Sequence, residues 1–97
     1  MGMTPEARVK KQIRQILDRV SAYYAMPIGS AYGNAGVPDF LVCHRGLFIG
    51  IEAKAGSGKP TALQEHNLNK IMEAGGEALI VNEKNIDTLE ELLNGIR

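Results

Sequence analysis

Cysteine is almost missing from this 97-residue chain, and the single Cys43 excludes an internal disulfide and any zinc site built from a cysteine cluster. Long apolar runs are missing too. No stretch approaches the roughly 20 residues that a membrane span needs, and the N-terminus lacks the apolar h-region of a secreted protein. These absences predict a protein of a reducing cytoplasm with no membrane partner. Met1-Gly2 opens like a myristoylation signal, but Glu6 stands where that signal wants Ser or Thr. Internal repeats, linkers and low-complexity tracts are also absent, which predicts a single domain over residues 1–97. With 44% hydrophobic and 23% charged residues, the chain is neither disordered, coiled-coil nor collagen-like.

Net charge is zero overall, but its distribution is uneven. Residues 1–64 hold eight Lys/Arg against four Asp/Glu, whereas residues 65–97 hold three against seven. Such asymmetry points to a polyanion-facing side, although a solvated acidic helix face explains the second half equally well.

Thr4-Pro5 reads as an N-cap followed by proline at the first helical position. Val9, Ile13, Ile16, Leu17, Val20 and Tyr24 then recur at helical spacing, predicting an amphipathic helix over 5–24. Arg8, Lys10, Lys11, Arg14 and Arg19 occupy its other face. Cations in the first turns oppose the helix dipole, so a compensating anion such as phosphate is the simplest reason for them. A short strand is expected over Ile28–Tyr32, bounded by the turn cluster Gly33-Asn34-Ala35-Gly36. Val37–Cys43 and Leu47–Ala53 read as strands joined at Arg45-Gly46. After the loop Ala55–Pro60, Thr61-Ala62-Leu63-Gln64 matches a capping box and opens a second helix with Leu68, Ile71 and Met72 inward, closed by Gly75-Gly76. Ala78–Val81 is a buried strand, followed by a third helix from near Asn85 or Asp87 with Ile86, Leu89, Leu92, Leu93 and Ile96 inward. The order α-β-β-β-α-β-α predicts an α/β fold with a small mixed sheet flanked by helices.

The hairpin carries the chemistry. If Arg45 and Gly46 are the two turn residues, His44 faces Leu47 and Asp39 stands opposite Glu52, with Lys54 projecting from the same face. Two carboxylates and a lysine then converge beside a glycine loop. Opposed carboxylates call for a cation, and hard oxygen ligands suit Mg²⁺ or Mn²⁺. A three-residue turn would shift the register and undo the pairing.

Gly36-Val37-Pro38-Asp39, then Ile51-Glu52-Ala53-Lys54, then Gln64 early in the next helix, resembles the signature of PD-(D/E)XK nucleases. More narrowly it resembles the virus-type replication-repair nuclease domain (VRR-NUC), including its stand-alone phage forms. Glu6 matches that family's N-terminal acidic residue. The resemblance implies a restriction-endonuclease-like core and a divalent-metal-dependent, structure-selective DNA endonuclease that leaves a 5′-phosphate. Asp39, Glu52 and the backbone carbonyl of Ala53 would hold Mg²⁺ or Mn²⁺, Glu6 would act through a bound water or a second metal, and Lys54 would hold the attacking water. An ammonium beside two carboxylates positions water rather than abstracting its proton. The resemblance also implies a homodimer acting on branched DNA such as a four-way (Holliday) junction, in the bacterial cytoplasm for a phage protein. The alternative is a DNA-binding module with the same fold and no activity.

Several residues keep two readings. The capping box explains Gln64 without catalysis, and the helix dipole favours Glu6 where it stands. Gly56-Ser57-Gly58-Lys59 looks like a P-loop but has Ala53 for the first glycine and Pro60 for Ser/Thr, which weakens a nucleotide- or sugar-phosphate enzyme. Lys59 reads as a phosphate contact, joining Arg8, Lys10, Lys11 and Arg14 as candidate DNA-binding residues. Cys43 and His44 are strand neighbours facing opposite ways and so cannot form a nucleophile pair. His66 is expected exposed, and Tyr23, Tyr24 and Tyr32 are expected in the core rather than stacked on bases.

Overall fold

A computed structural model describes residues 2–28 and 35–97. Thr4 accepts a hydrogen bond from the Ala7 N–H at 3.1 Å, Pro5 takes the first helical position, and α1 runs Pro5–Arg19. The helix stops five residues short of the expected Tyr24. Ser21 turns left-handed at φ 61°, donating its N–H to Asp18, while the Ala22 N–H donates to Leu17. This is a Schellman closure made on serine, without the glycine or asparagine that usually marks one.

The freed residues Tyr23–Ala25 form β1. Tyr24 therefore packs from a strand: its ring lies 6.0 Å from Phe40, and its hydroxyl donates to Asp18 Oδ1 at 2.9 Å. Tyr23, expected in the core, is 79% exposed. Of the strand expected at Ile28–Tyr32, Ile28 is exposed and outside any strand, and residues 29–32 lie outside the described residues. The expected element order survives with a different first strand.

β2 (Phe40–His44) and β3 (Leu47–Ala53) form the hairpin. Arg45 at φ 52° and Gly46 at φ 85° are its two turn residues, as a two-residue turn of the primed kind demands. The register runs from His44↔Leu47 to Phe40↔Ile51, the pairing that the sequence arithmetic requires. α2 (Ala62–Glu73) opens on the expected capping box, with Thr61 N–H donating to Gln64 Oε1 at 2.8 Å and Gln64 N–H donating to Thr61 Oγ1 at 3.2 Å. β4 (Glu77–Val81) and α3 (Ile86–Asn94) complete the chain. The sheet order is β1-β2-β3-β4, antiparallel through the first three strands and parallel between β3 and β4.

The apolar stripes of α1 and α3 pack on one face of this sheet. Val9, Ile13, Ile16 and Leu17 meet Phe40, Val42, Ile49, Ile51 and Ala53 there, with Leu89 and Leu93 closing the cluster. Each wholly buried side chain of this size contributes about 2 kcal/mol. Arg19 clamps Glu90 at 2.9–3.2 Å across the two helices, an exposed pair that solvent screens. α2 lies on the opposite face and buries only Leu68 fully; Met72, and Leu92 on α3, are about half exposed rather than inward. No described helix is long and apolar enough to cross a membrane.

Candidate active site

The G-x-P-D element owes its residue types to packing. Gly36 takes φ +84°, and a Cβ there would lie 2.5 Å from Leu63 Cγ of α2. Pro38 is buried against Gly50 of β3, where a Cβ would meet Pro38 Cγ at 3.2 Å and Ile71 Cδ1 at 2.5 Å. The proline thus lies flat on the neighbouring strand and delivers Asp39 to the mouth of the hairpin. β2 begins only at Phe40, not at Val37 as expected, because Asp39 replaces the ladder with its side chain: Oδ2 accepts the Ala53 N–H at 2.8 Å.

Asp39 therefore sits beside Glu52, as the extrapolated register predicts. Glu52 is 1% exposed, and its Oε2 has no hydrogen-bond partner. Burial first, then a hydrogen bond that its protonated carboxyl donates to Asp39 and the charge of that residue, raise its pKa from an ordinary 4.5 to about 8. Glu6 pushes the same way, and the Lys54 ammonium pulls against both. Lys54 continues β3 toward β4 through its N–H to the Val81 carbonyl at 3.0 Å. Asp39, Lys54 and Glu6 thus all act electrostatically on Glu52.

Other candidates fall elsewhere. Gln64 has its side-chain oxygen committed to the helix cap. Lys59 is exposed on the loop after β3, where the Gly56 N–H is taken by Glu83 Oε1 at 2.6 Å. Backbone N–H groups, including that of Gly56, hold the Glu83 carboxyl below the usual range. An acid already occupying the loop's amide argues against a phosphate cradle there. Arg8, Lys11 and Arg14 are exposed on α1, and Arg8 donates weakly to the Met3 carbonyl at 3.4 Å.

Lys10 behaves differently from the other basic residues of its helix. Its ammonium lies 3.4 Å from Asp39 Oδ1 and 3.8 Å from Glu6 Oε2, so it belongs to the carboxylate cluster and not to an open basic face. Sequence reasoning grouped it with the phosphate contacts; the four-residue step from Glu6 was the available signal. Cys43 is exposed and His44 buried against the Leu93 carbonyl at 3.2 Å, on opposite faces as alternation requires. His66 is exposed as expected.

The cluster fits a hard divalent cation. Glu52 Oε2 is a buried oxygen without a partner, opposite a second carboxylate, and that combination is what such an ion satisfies. Among the described residues no group of three His, Cys, Asp or Glu side chains gathers as a ligand cluster. Two carboxylates would leave most positions to water, which suits Mg²⁺ better than an ion needing a protein cage.

No family model matches the chain, and no curated protein matches it. Among solved structures it is similar to one described as a VRR_NUC domain, at 26% sequence identity and a TM-score of 0.75, covering 92% of this chain and 97% of that one. The likeness spans nearly the whole of both chains. The chain has the fold of a VRR_NUC domain, with a mixed sheet flanked by helices as in restriction-endonuclease-like architecture.

Proposed function

We propose that this protein is a divalent-metal-dependent DNA endonuclease that hydrolyses phosphodiester bonds at the Asp39–Glu52 pair. The observation that carries the reading is the buried Glu52 carboxyl, opposed by Asp39 and holding an oxygen without a partner. An inactive DNA-binding module gains nothing from this arrangement, since opposed carboxylates repel phosphate and burying them costs stability.

Asp39, Glu52 and the Ala53 carbonyl would hold Mg²⁺ or Mn²⁺. Such an ion lowers the pKa of a nearby water and neutralises charge developing on the phosphoryl oxygens. The chain's own residues do the rest. The Ala53 N–H fixes Asp39, so its carboxylate is oriented before any ligand arrives. Lys54 orients the attacking water and offers positive charge to the scissile phosphate. Glu6, partly exposed on α1, acts through water rather than by direct contact with Asp39 or Glu52. Gln64, through its amide nitrogen, and Lys59, from the exposed loop, would contact the substrate.

The substrate we infer is branched DNA, cut by a two-fold dimer that presents one site to each of two strands of a four-way junction. The test is cleavage of labelled junction, flap, duplex and single-stranded DNA of one sequence, with Mg²⁺, Mn²⁺ or chelator. Metal-dependent incision with 5′-phosphate ends, strongest on the junction, is expected. Incision of all four alike would remove the structure selectivity. Binding with no incision under any metal would favour the inactive module.

A further inference from the structure

Asp39 has two carboxylate oxygens with different commitments. Oδ2 is held by the Ala53 N–H at 2.8 Å, and Oδ1 is held by the Lys10 ammonium at 3.4 Å. Lys10 therefore occupies an oxygen that Asp39 would offer to a cation. Asp39 and Glu52 are fixed by strand backbone, whereas Lys10 reaches them from α1 on a flexible four-carbon stem and also neutralises Glu6. A compact ammonium on such a stem is a point charge that leaves readily, without the fixed geometry of a guanidinium fork.

We propose, building on the metal-site reading above, that Lys10 is a tethered competitor for the divalent cation. In the metal-free protein it neutralises Asp39 and Glu6 and keeps the carboxylates from repelling one another. For a divalent ion to bind, Lys10 must leave Oδ1. Position 10 thus sets the metal affinity of the site: its charge holds the empty site together and weakens the ion's hold on it.

The experiment is calorimetric titration of the full chain with Mn²⁺ alone, without DNA, on the parent and on Lys10→Gln, Lys10→Arg, Lys11→Gln and Asp39→Asn. Removing a partly buried ammonium from a ligand oxygen should tighten Mn²⁺ binding about three- to tenfold in Lys10→Gln. Lys10→Arg keeps the charge and holds it in a fork that leaves less readily, so it should bind Mn²⁺ no more tightly than the parent. Lys11→Gln makes the same change of net charge from an exposed position one residue away, and should change the affinity less than about twofold. Thermal melts supply a second readout that does not depend on activity. Lys10→Gln should melt below the parent in chelator, and saturating Mn²⁺ should close the gap. Equal Mn²⁺ affinity in the parent and Lys10→Gln, or an equal gain in Lys11→Gln, overturns the competitor. If the parent binds Mn²⁺ and Asp39→Asn weakens it while Lys10→Gln changes nothing, only the competitor fails. If neither the parent nor Lys10→Gln binds Mn²⁺, the metal site itself fails and the competitor with it.

Discussion

Glu52 makes the metal-free protein sensitive to pH in a direction opposite to that of most carboxylates. Its folded-state pKa of about 8 lies well above its ordinary 4.5, so between those values the folded chain keeps a proton that the unfolded chain has lost. Stability from this group is complete below pH 4.5 and drains away as pH rises through about 8. A shift of that size has a ceiling of about 5 kcal/mol at 1.36 kcal/mol per unit. Most of that ceiling lies between pH 5 and pH 8.5, where a loss of ~2–4 kcal/mol is expected. For a chain of this length that is on the order of 10–20 °C in melting temperature. Urea melts in chelator across this pH range measure it directly. Glu52→Gln keeps the shape and removes the titration, so its stability should be nearly level and exceed the parent's at pH 8.5. Saturating Mg²⁺ at pH 8.5 should raise the parent and leave Glu52→Gln unmoved. A parent and a Glu52→Gln variant with parallel pH profiles would refute the picture of a buried, protonated carboxyl.

Three further outcomes are expected. Lys54→Ala should lower cleavage by at least about 100-fold while leaving Mn²⁺ affinity within a few-fold of the parent, the split that separates water positioning from ligation. Arg14 lies one turn beyond Lys10 on the same side of α1, so Arg14→Gln should flatten the salt dependence of DNA affinity by about one unit of slope. Arg8→Gln, on the far side of the helix, should not, and equal effects in fluorescence anisotropy would put the DNA elsewhere. Gly50→Ala would drive a Cβ to 2.5 Å from Ile71 Cδ1 and 3.2 Å from Pro38 Cγ, so urea melts should show a loss of about 1–3 kcal/mol. Because Pro38 delivers Asp39, Mn²⁺ affinity should fall in the same variant.

The hairpin could be read from sequence because its register is a matter of counting. Two turn residues at Arg45-Gly46 fix every pair between Phe40 and Ile51, and one step further places Asp39 at Glu52. The second helix was equally legible, since its capping box is written in four consecutive residues. The end of the first helix was not. Its closure on Ser21 carries no glycine, and Val20 and Tyr24 prolong the helical spacing although tertiary packing makes Tyr24 a strand residue against Phe40. The ion pairs of Lys10 were hidden for a related reason. A helical face shows which residues lie side by side, but its bearing on Asp39 depends on how α1 docks on the sheet. Glu83 reaching the Gly56 amide is long-range in the same sense: two loops 27 residues apart meet only in the folded chain.

Incision of a labelled four-way junction under single-turnover conditions, with the parent and Asp39→Asn side by side, tests the central claim most directly. Asparagine keeps an oxygen for the Ala53 N–H and removes the charge, so the fold should persist while the cation site is lost. The account predicts Mg²⁺- or Mn²⁺-dependent incision by the parent, none in chelator, and a rate at least about 1,000-fold lower for Asp39→Asn. Incision by the parent in chelator, or by Asp39→Asn at the parent's rate, would contradict it.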